Sequence, residues 1–394
     1  MKFKKFIAVF LCVLMGLTLF SACGDGAGMD FGGLFDPNEE VDPYPLDTKV
    51  GFIYNSEVGT NPLNAIFEIG RDQLERTLGA ETCYMENVRL TQFEEAAERL
   101  IANGCDVIVA ASSVFNSAVV LTARKYTDVY FISFGGSDQA PNLASIQPLL
   151  YQAANVSGLI AAYNTNSNQI GIVADSGMYN AYGVANAFAL GVRELNYSQI
   201  DLHLNWALSV NFHDTRAAVL DLVEQGCDII FVYQSEDFAT WLCEELGVTV
   251  IGFGYNVPDI APENYLTGIY MNLNSFLIDK VRNYMYGNTA AFGDHVRRGL
   301  HHGTVSWLGI NNNIALQGSW EIAELLTEQI KDERSTIFGG EIRDRDNVVR
   351  VEKGTVMMVQ QIFTIKWLAS NIVTEKNFSE PQTELVYSDF TIRK

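Results

Sequence analysis

Lys49 to Arg71 reads KVGFIYNSEVGTNPLNAIFEIGR, an apolar strand that ends in a polar turn and opens a helix. Val50 to Tyr54 has the short, continuously apolar character of a parallel strand buried on both faces. Gly59, Thr60 and Asn61 are turn formers, and Pro62 suits a first helical turn because the amide hydrogen it lacks would go unpaired there. A helix is expected over 62–78. In open α/β sheets ligands sit beyond the carboxyl ends of the strands, which directs attention to Asn55 through Phe67.

Working outward, strands are expected at 49–54, 81–86, 105–111, 128–134 and 142–146, with helices at 62–78, 92–103 and 114–126. This alternation predicts a parallel sheet covered on both faces. The pattern then restarts. Gln169 to Val173 echoes Lys49 to Ile53, and Asp201 to Trp206 echoes the second strand. ERLIANGCDVIVAASS (98–113) echoes LDLVEQGCDIIFVYQS (220–235), and VYFISFG (129–135) echoes VTVIGFG (248–254). A repeat of about 120 residues is too long for a solenoid unit and fits a duplicated Rossmann-like lobe. The fold class is therefore α/β, with two Rossmann-like lobes, parallel sheets and a cleft between them. Crossings between lobes are expected near 147–149, 271–274 and 300–304, a three-segment hinge. The first lobe is then 48–148 plus 272–303 and the second 149–271 plus 304–375, with 376–394 as a C-terminal extension. Helices are expected over 215–226, 274–287 and 318–331.

The 394 residues, with 48% apolar, supply material for two cores. The formal charge of −21 arises from 47 acidic against 26 basic residues without a basic stripe, which argues against nucleic-acid or anionic-membrane docking. Residues 1–22 combine Lys2, Lys4 and Lys5 with an apolar run from Phe6 to Phe20, an export signal. Ser21-Ala22-Cys23 resembles a lipoprotein cleavage box, with Cys23 the lipidated residue. The Gly-, Asp- and Pro-rich segment to residue 47 reads as a flexible acidic tether. No later segment reaches ~18 uninterrupted apolar residues, so none is expected to span a membrane. Cys83, Cys105, Cys227 and Cys243 form no metal motif. Cys105 and Cys227, each in a Gly-Cys-Asp step before a strand, read as core thiols. A Cys83–Cys105 bridge is open to an exported chain, but the two strands are expected on opposite sides of the first strand.

These residues resemble the basic membrane protein (Bmp) family of substrate-binding lipoproteins over about 49–375. The resemblance rests on KVGFIY, IGRDQLERTLG, LIANGCDVIVAAS followed by Phe115, FHDTRAAVLDLVEQGCDIIF and the closing turn IFGGEIRDRDNVVRVEKG. It implies the type I periplasmic-binding-protein fold, service to an ABC importer and a purine nucleoside or base as ligand. Leu63 stands where the family commonly places a base-stacking aromatic, and Asn256 where it places an acidic residue. Phe212 and Asp214 match the family's second-lobe aromatic and its acidic neighbour.

Phe212 follows an apolar strand and precedes a helix, so its ring is a candidate for stacking on a planar ligand or for lobe packing. Asp214 either accepts from a ligand hydroxyl or caps the helix at 215–226. Asn55 and Asn64 suit the edge of a base, or turn chemistry. One of Ser112 and Ser113 is expected to cap a helix while the other reaches the ligand, and Phe115 is a cleft-wall candidate. Asp175, Tyr179, Tyr182, Gln234, Ser235 and Asp237 fall at strand ends in the repeat, and Tyr255 and Asn256 share that rim. His301-His302 suggests metal, yet strand neighbours point to opposite faces and no third ligand has useful spacing, so neither metal nor cofactor is expected. His203 and His213 read as surface or packing residues. No nucleophile elbow, phosphate loop or paired-carboxylate motif occurs, so an enzyme is not expected. The expected protein is a monomeric, lipid-anchored solute-binding protein on the extracytoplasmic face of a bacterial cell membrane. It captures a small planar ligand, a purine nucleoside or base, between lobes and delivers it to an ABC permease. The alternative is a surface sensor or regulatory lipoprotein with the same fold. A ligand-sensing transcription factor is disfavoured by the export signal.

Overall fold

A computed structural model describes residues 47–59, 61–195, 199–378 and 392–393. The expected export signal, Cys23 and the expected tether as far as residue 46 lie outside the described residues.

The opening strand forms as β1 (Lys49–Ile53) and leads into α1 (Pro62–Leu78). Asn61 caps α1 by accepting from the Asn64 amide at 2.7 Å, and Gly79, at φ 67°, ends it in the left-handed conformation. The first half continues as β2 (Glu81–Met85), α2 (Phe93–Ala102), β3 (Val107–Ala110), α3 (Asn116–Lys125), β4 (Tyr130–Phe134) and β5 (Leu143–Pro148). The second half repeats it. Helix α4 (Leu150–Asn164) precedes β6 (Gln169–Ala174), α5 (Ala181–Arg193), β7 (Asp201–Trp206), α6 (Phe212–Glu224), β8 (Ile229–Tyr233), α7 (Phe238–Leu246), β9 (Thr249–Phe253), the short α8 (Val257–Ile260) and β10 (Tyr265–Met271). Then come α9 (Asn274–Met285), β11 (His295–Arg298), β12 (Val305–Trp307), α10 (Ser319–Lys331), a β13–β14 hairpin (Ile342–Arg343, Val349–Val351), α11 (Val359–Ile362) and β15 (Ile372–Asn377).

The first sheet runs β11-β5-β4-β3-β1-β2 and the second β12-β10-β9-β8-β6-β7-β15. Both halves therefore share one strand order. All pairs are parallel except β10 with β12, where the second sheet closes on an antiparallel edge strand. The repeat extends to its turns: Cys105 donates its amide to Leu100 and Cys227 to Leu222, each after a glycine near φ 85° that only a residue without Cβ adopts cheaply. Helices α2 and α3 cover one face of the first sheet, and α6 and α7 one face of the second. The remaining faces merge with α1, α4 and α5 into one core that spans both sheets. The chain passes between sheets after β5, after β10 and after β11, and α9 returns to lie on α1, where Gly70 faces Leu277.

Several boundaries differ from expectation for local reasons. β3 starts at Val107 because Cys105 and Asp106 still belong to the turn. Helix α6 starts at Phe212, not at 215, because Asn211 is its cap: its side-chain oxygen accepts from the His213 and Asp214 amides at 3.1 and 3.3 Å. Asp214 is therefore not the cap. His301 and His302 occupy a single 3₁₀ turn, not a strand. Lys376 and Asn377, expected in the extension, pair with Asn205 and Trp206 in β15. Arg393 forms an antiparallel bridge with Tyr84 at the far edge of the first sheet.

Candidate functional site

In both sheets the strand order reverses beside the first strand of its half, so the loops after β1 and β3, and those after β6 and β8, splay apart at their carboxyl ends. A cavity of about 300 Å³ opens at these two points. Its first wall carries Asn55, Ser56 and Asn61 from the loop after β1, Leu63 from α1, and Ser112, Ser113 and Val114 after β3. Its second wall carries Asp175, Gly177, Met178 and Tyr179 after β6, Leu208 and Val210 after β7, and Ser235 and Glu236 after β8. The strand-end residues Phe134, Tyr233, Phe253 and Met271 and the helix residue Leu150 complete it.

Hydrogen bonds set each loop before any ligand arrives. Asn64 donates to the Ser56 and Glu57 carbonyls at 3.3 and 3.0 Å, and the Asn61 amide reaches the Ser56 hydroxyl at 2.6 Å. Asp175 accepts from the Gly177 amide at 2.8 Å and from the Ser209 amide and hydroxyl at 2.8 and 2.9 Å. The Ser209 oxygen accepts in turn from the Ser235 amide at 3.0 Å, so one carboxylate ties together three rim loops. Tyr179 crosses from the second wall to the first. Its ring lies 4.9 Å from Phe134 and 5.6 Å from Phe363, and Gly135, at φ 82°, leaves it room, since a Cβ there would stand 2.7 Å from the ring. Among the described buried side-chain groups, the Tyr179 hydroxyl has no hydrogen-bond partner. Burial, reinforced by the neighbouring Asp237, raises the Glu236 carboxyl to about 7. Burial likewise raises Asp237 to about 6, against the opposing Asn256 hydrogen bond. None of the described lining residues is basic.

With this geometry in place, comparison with known proteins identifies the family. The model of Bmp, described as ABC transporter substrate-binding protein PnrA-like, matches residues 47–337. The chain belongs to that family. TsgA13 of Haloferax volcanii, provisionally named as an ABC transporter glucose-binding protein, is 23% identical over 320 residues, covering 81% of this chain and 76% of that one. Among solved structures, an ABC transporter solute-binding protein from Aeropyrum pernix K1 superposes with TM-score 0.62 at 15% identity, covering 75% of this chain and 93% of the other. One from Conexibacter woesei DSM 14684 gives 0.60 at 15% identity, covering 73% and 97%. As a Bmp family member the chain has a solute-binding role, and the family works outside the cytoplasm. Among the described residues no helix is long and apolar enough to cross a membrane.

Of the residues singled out from sequence, Asn55, Leu63, Ser112, Ser113, Asp175, Tyr179 and Ser235 meet at the cavity of this Bmp protein. Ser112 also caps the turn over Ser113–Phe115 by accepting from Val114 at 3.4 Å. The others serve elsewhere. Phe67 is buried against Phe134, and Phe115 packs on Phe93 in the core behind the sheet. Asn64 spends its amide on the loop. Gln234 is buried and donates to the Ala207 carbonyl and the Thr215 hydroxyl. Asn256 donates to Asp237 at 2.9 Å, and Tyr255 to the Met271 carbonyl at 2.6 Å. Phe212 is 57% exposed and tilts onto Phe238, outside the cavity lining, while Asp214 is buried in the first turn of α6. Tyr182 packs on Trp206. Sequence reasoning passed over Phe134, Tyr233, Phe253 and Glu236. The first three are the last residues of β4, β8 and β9, a position that itself signals the cleft.

Proposed function

We propose that this protein is a lipid-anchored, extracytoplasmic binding component of an ABC importer that captures a small neutral ligand with a flat face, a purine nucleoside foremost. Cys23 carries the lipid, the two sheets act as lobes that close on the ligand, and a permease receives it. One observation carries the ligand class: the cavity combines the rings of Phe134, Tyr179, Tyr233 and Phe253 with two carboxylates and no basic side chain. Aromatic rings offer apolar faces to a planar ligand. Asp175 and Glu236, with Asn55 and the serine hydroxyls, accept from sugar hydroxyls and base amino groups. A phosphate beside the Asp175 carboxylate would meet like charge at a cost of roughly 2–4 kcal/mol within 4–8 Å. The volume lies at the lower end of the roughly 300–1,000 Å³ typical of small-molecule pockets. A monosaccharide is the second reading, favoured by the name of the Haloferax relative.

Calorimetry of the mature protein against adenosine, guanosine, inosine, adenosine monophosphate, glucose and ribose tests this. The expectation is binding of at least one nucleoside, none of the monophosphate, and a loss of about tenfold or more on Tyr179→Ala. Binding of glucose or ribose with no nucleoside would transfer the assignment to the sugar reading.

A further inference from the structure

Cys83 lies in β2 and Cys105 in the turn that leads into β3, on opposite sides of β1, a placement that would ordinarily hold side chains too far apart to meet. Gly51 removes the obstacle. It pairs directly with Cys83 across β1 and β2, and a Cβ built on it would stand 3.0 Å from the Cys105 sulfur. The Cys105 sulfur thus occupies the space above Gly51 and reaches within 3.4 Å of the Cys83 sulfur. Both residues are buried and both are free thiols. Joining them needs the two sulfurs to close by about 1.4 Å, to the disulfide length of about 2.05 Å. The second half of the chain is an internal contrast: Gly171 stands where Gly51 stands and Cys227 where Cys105 stands, but His203 occupies the position of Cys83.

We infer that Cys83 and Cys105 are a disulfide-forming pair, which in the exported protein staples β2 to the start of β3 across the glycine of β1. The site spans from mid-strand in β1 and β2 to the turn before β3, away from the carboxyl ends where the ligand cavity opens. A surface depression of about 470 Å³ is lined by Lys49, Glu81, Asn103 and Gly104, and the Asn103 amide stands 3.7 Å from the Cys83 sulfur. When Cys83 is the thiolate the Cys105 thiol donates to it, and this pairing, with Asn103 and Lys49, draws the Cys83 pKa down to about 7 against the effect of burial, whereas Cys105 is raised by the same pairing. Cys83 is accordingly the attacking thiolate. With a small-molecule disulfide as oxidant, the Cys83 thiolate attacks one sulfur and expels the other as thiolate, leaving a mixed disulfide. Cys105 then gives up its proton and attacks the Cys83 sulfur, and the second thiolate leaves. The pair loses two electrons and two protons, and the oxidant becomes two thiols.

The location in the exported protein rests on the extracytoplasmic reading, so the test has two samples. In one, full-length protein from membranes is acid-quenched, alkylated in denaturant without reductant, digested and mapped by mass spectrometry. In the other, reduced protein is refolded with oxidised glutathione and mapped in the same way. The expected result is a linked peptide containing Cys83 and Cys105 in both, with Cys227 and Cys243 alkylated. Linkage in the refolded sample alone supports the pair and counts against the export reading. Alkylation of all four cysteines in the refolded sample, or glutathione held on either cysteine without the linked peptide, overturns the inference. A linked sample should also unfold at higher denaturant concentration than its reduced form, because the bond restricts the unfolded chain.

Discussion

Helices α4 and α5 approach each other through Gly158 and Gly191, and replacing either glycine is expected to destabilise the protein against the direction of helix propensity. A Cβ on Gly191 would stand 1.9 Å from the Asn155 carbonyl oxygen, and one on Gly158 would stand 2.1 Å from that of Phe188. Neither obstacle is a side-chain tip that can swing away. Restoring an ordinary contact near 3.4 Å means parting the helices by about 1.5 Å, enough to forfeit much of the dispersion energy along the seam. It also stretches the Asn155 amide bond to the Ala187 carbonyl, now 3.0 Å. Overpacking in cores costs about 1–3 kcal/mol and sometimes more, whereas Gly→Ala in a helix gains about 1 kcal/mol by propensity. With backbone as the immovable partner the cost lies at the top of that range, so Gly191→Ala should lose about 2 kcal/mol net. Because one parting of the helices makes room for both methyl groups, Gly158→Ala/Gly191→Ala should cost less than the sum of the single changes by about 1 kcal/mol or more. Denaturant unfolding followed by circular dichroism measures all four proteins. A Gly191→Ala protein as stable as wild type, or strict additivity in the double variant, would refute the reasoning. Leu150 opens α4 and lines the cavity, so the same displacement should weaken ligand binding.

Gly135→Ala places a methyl group 2.7 Å from the Tyr179 ring at a backbone φ of 82°, so ligand affinity should fall about tenfold or more while the circular dichroism spectrum is retained. Glu236 has a folded pKa near 7, above the ordinary 4.5, so the folded state holds its proton more tightly than the unfolded one. That contribution is complete below about 4.5 and is lost as pH rises toward 7. Glu236→Gln should therefore match wild type in denaturant midpoint at pH 4 and exceed it at pH 8; a constant difference between the two would count against a buried, titrating carboxyl.

The elements that were legible carry their own punctuation. Helix α1 is bounded by Asn61-Pro62 and Gly79, and the Gly-Cys-Asp turns mark the starts of β3 and β8. Helix α4 carried no such signal: nearly all of LYQAANVSGLIAAYN is buried, so no polar face exists to reveal a helical period. The candidate site divided in a similar way. The loops named from sequence meet at one cavity because the sheet order dictates where strand ends gather, but which side chains face it was not legible, because strand alternation stops at the strand's last residue. In the loop after β8, Gln234 looked like a ligand group yet turns inward to Ala207 and Thr215, leaving Tyr233, Ser235 and Glu236 at the cavity. Asn64 and Asn256 are polar for the same reason, their amides being committed to Ser56 and Glu57 and to Asp237. A buried amide left without such bonds would cost about 1–3 kcal/mol, so polar residues in a preformed loop answer first to the loop. What a ligand can recognise is the remainder after those internal bonds are made. In this cavity that remainder includes the ring of Tyr179, which no residue type or spacing in the sequence distinguishes from the tyrosines that pack elsewhere.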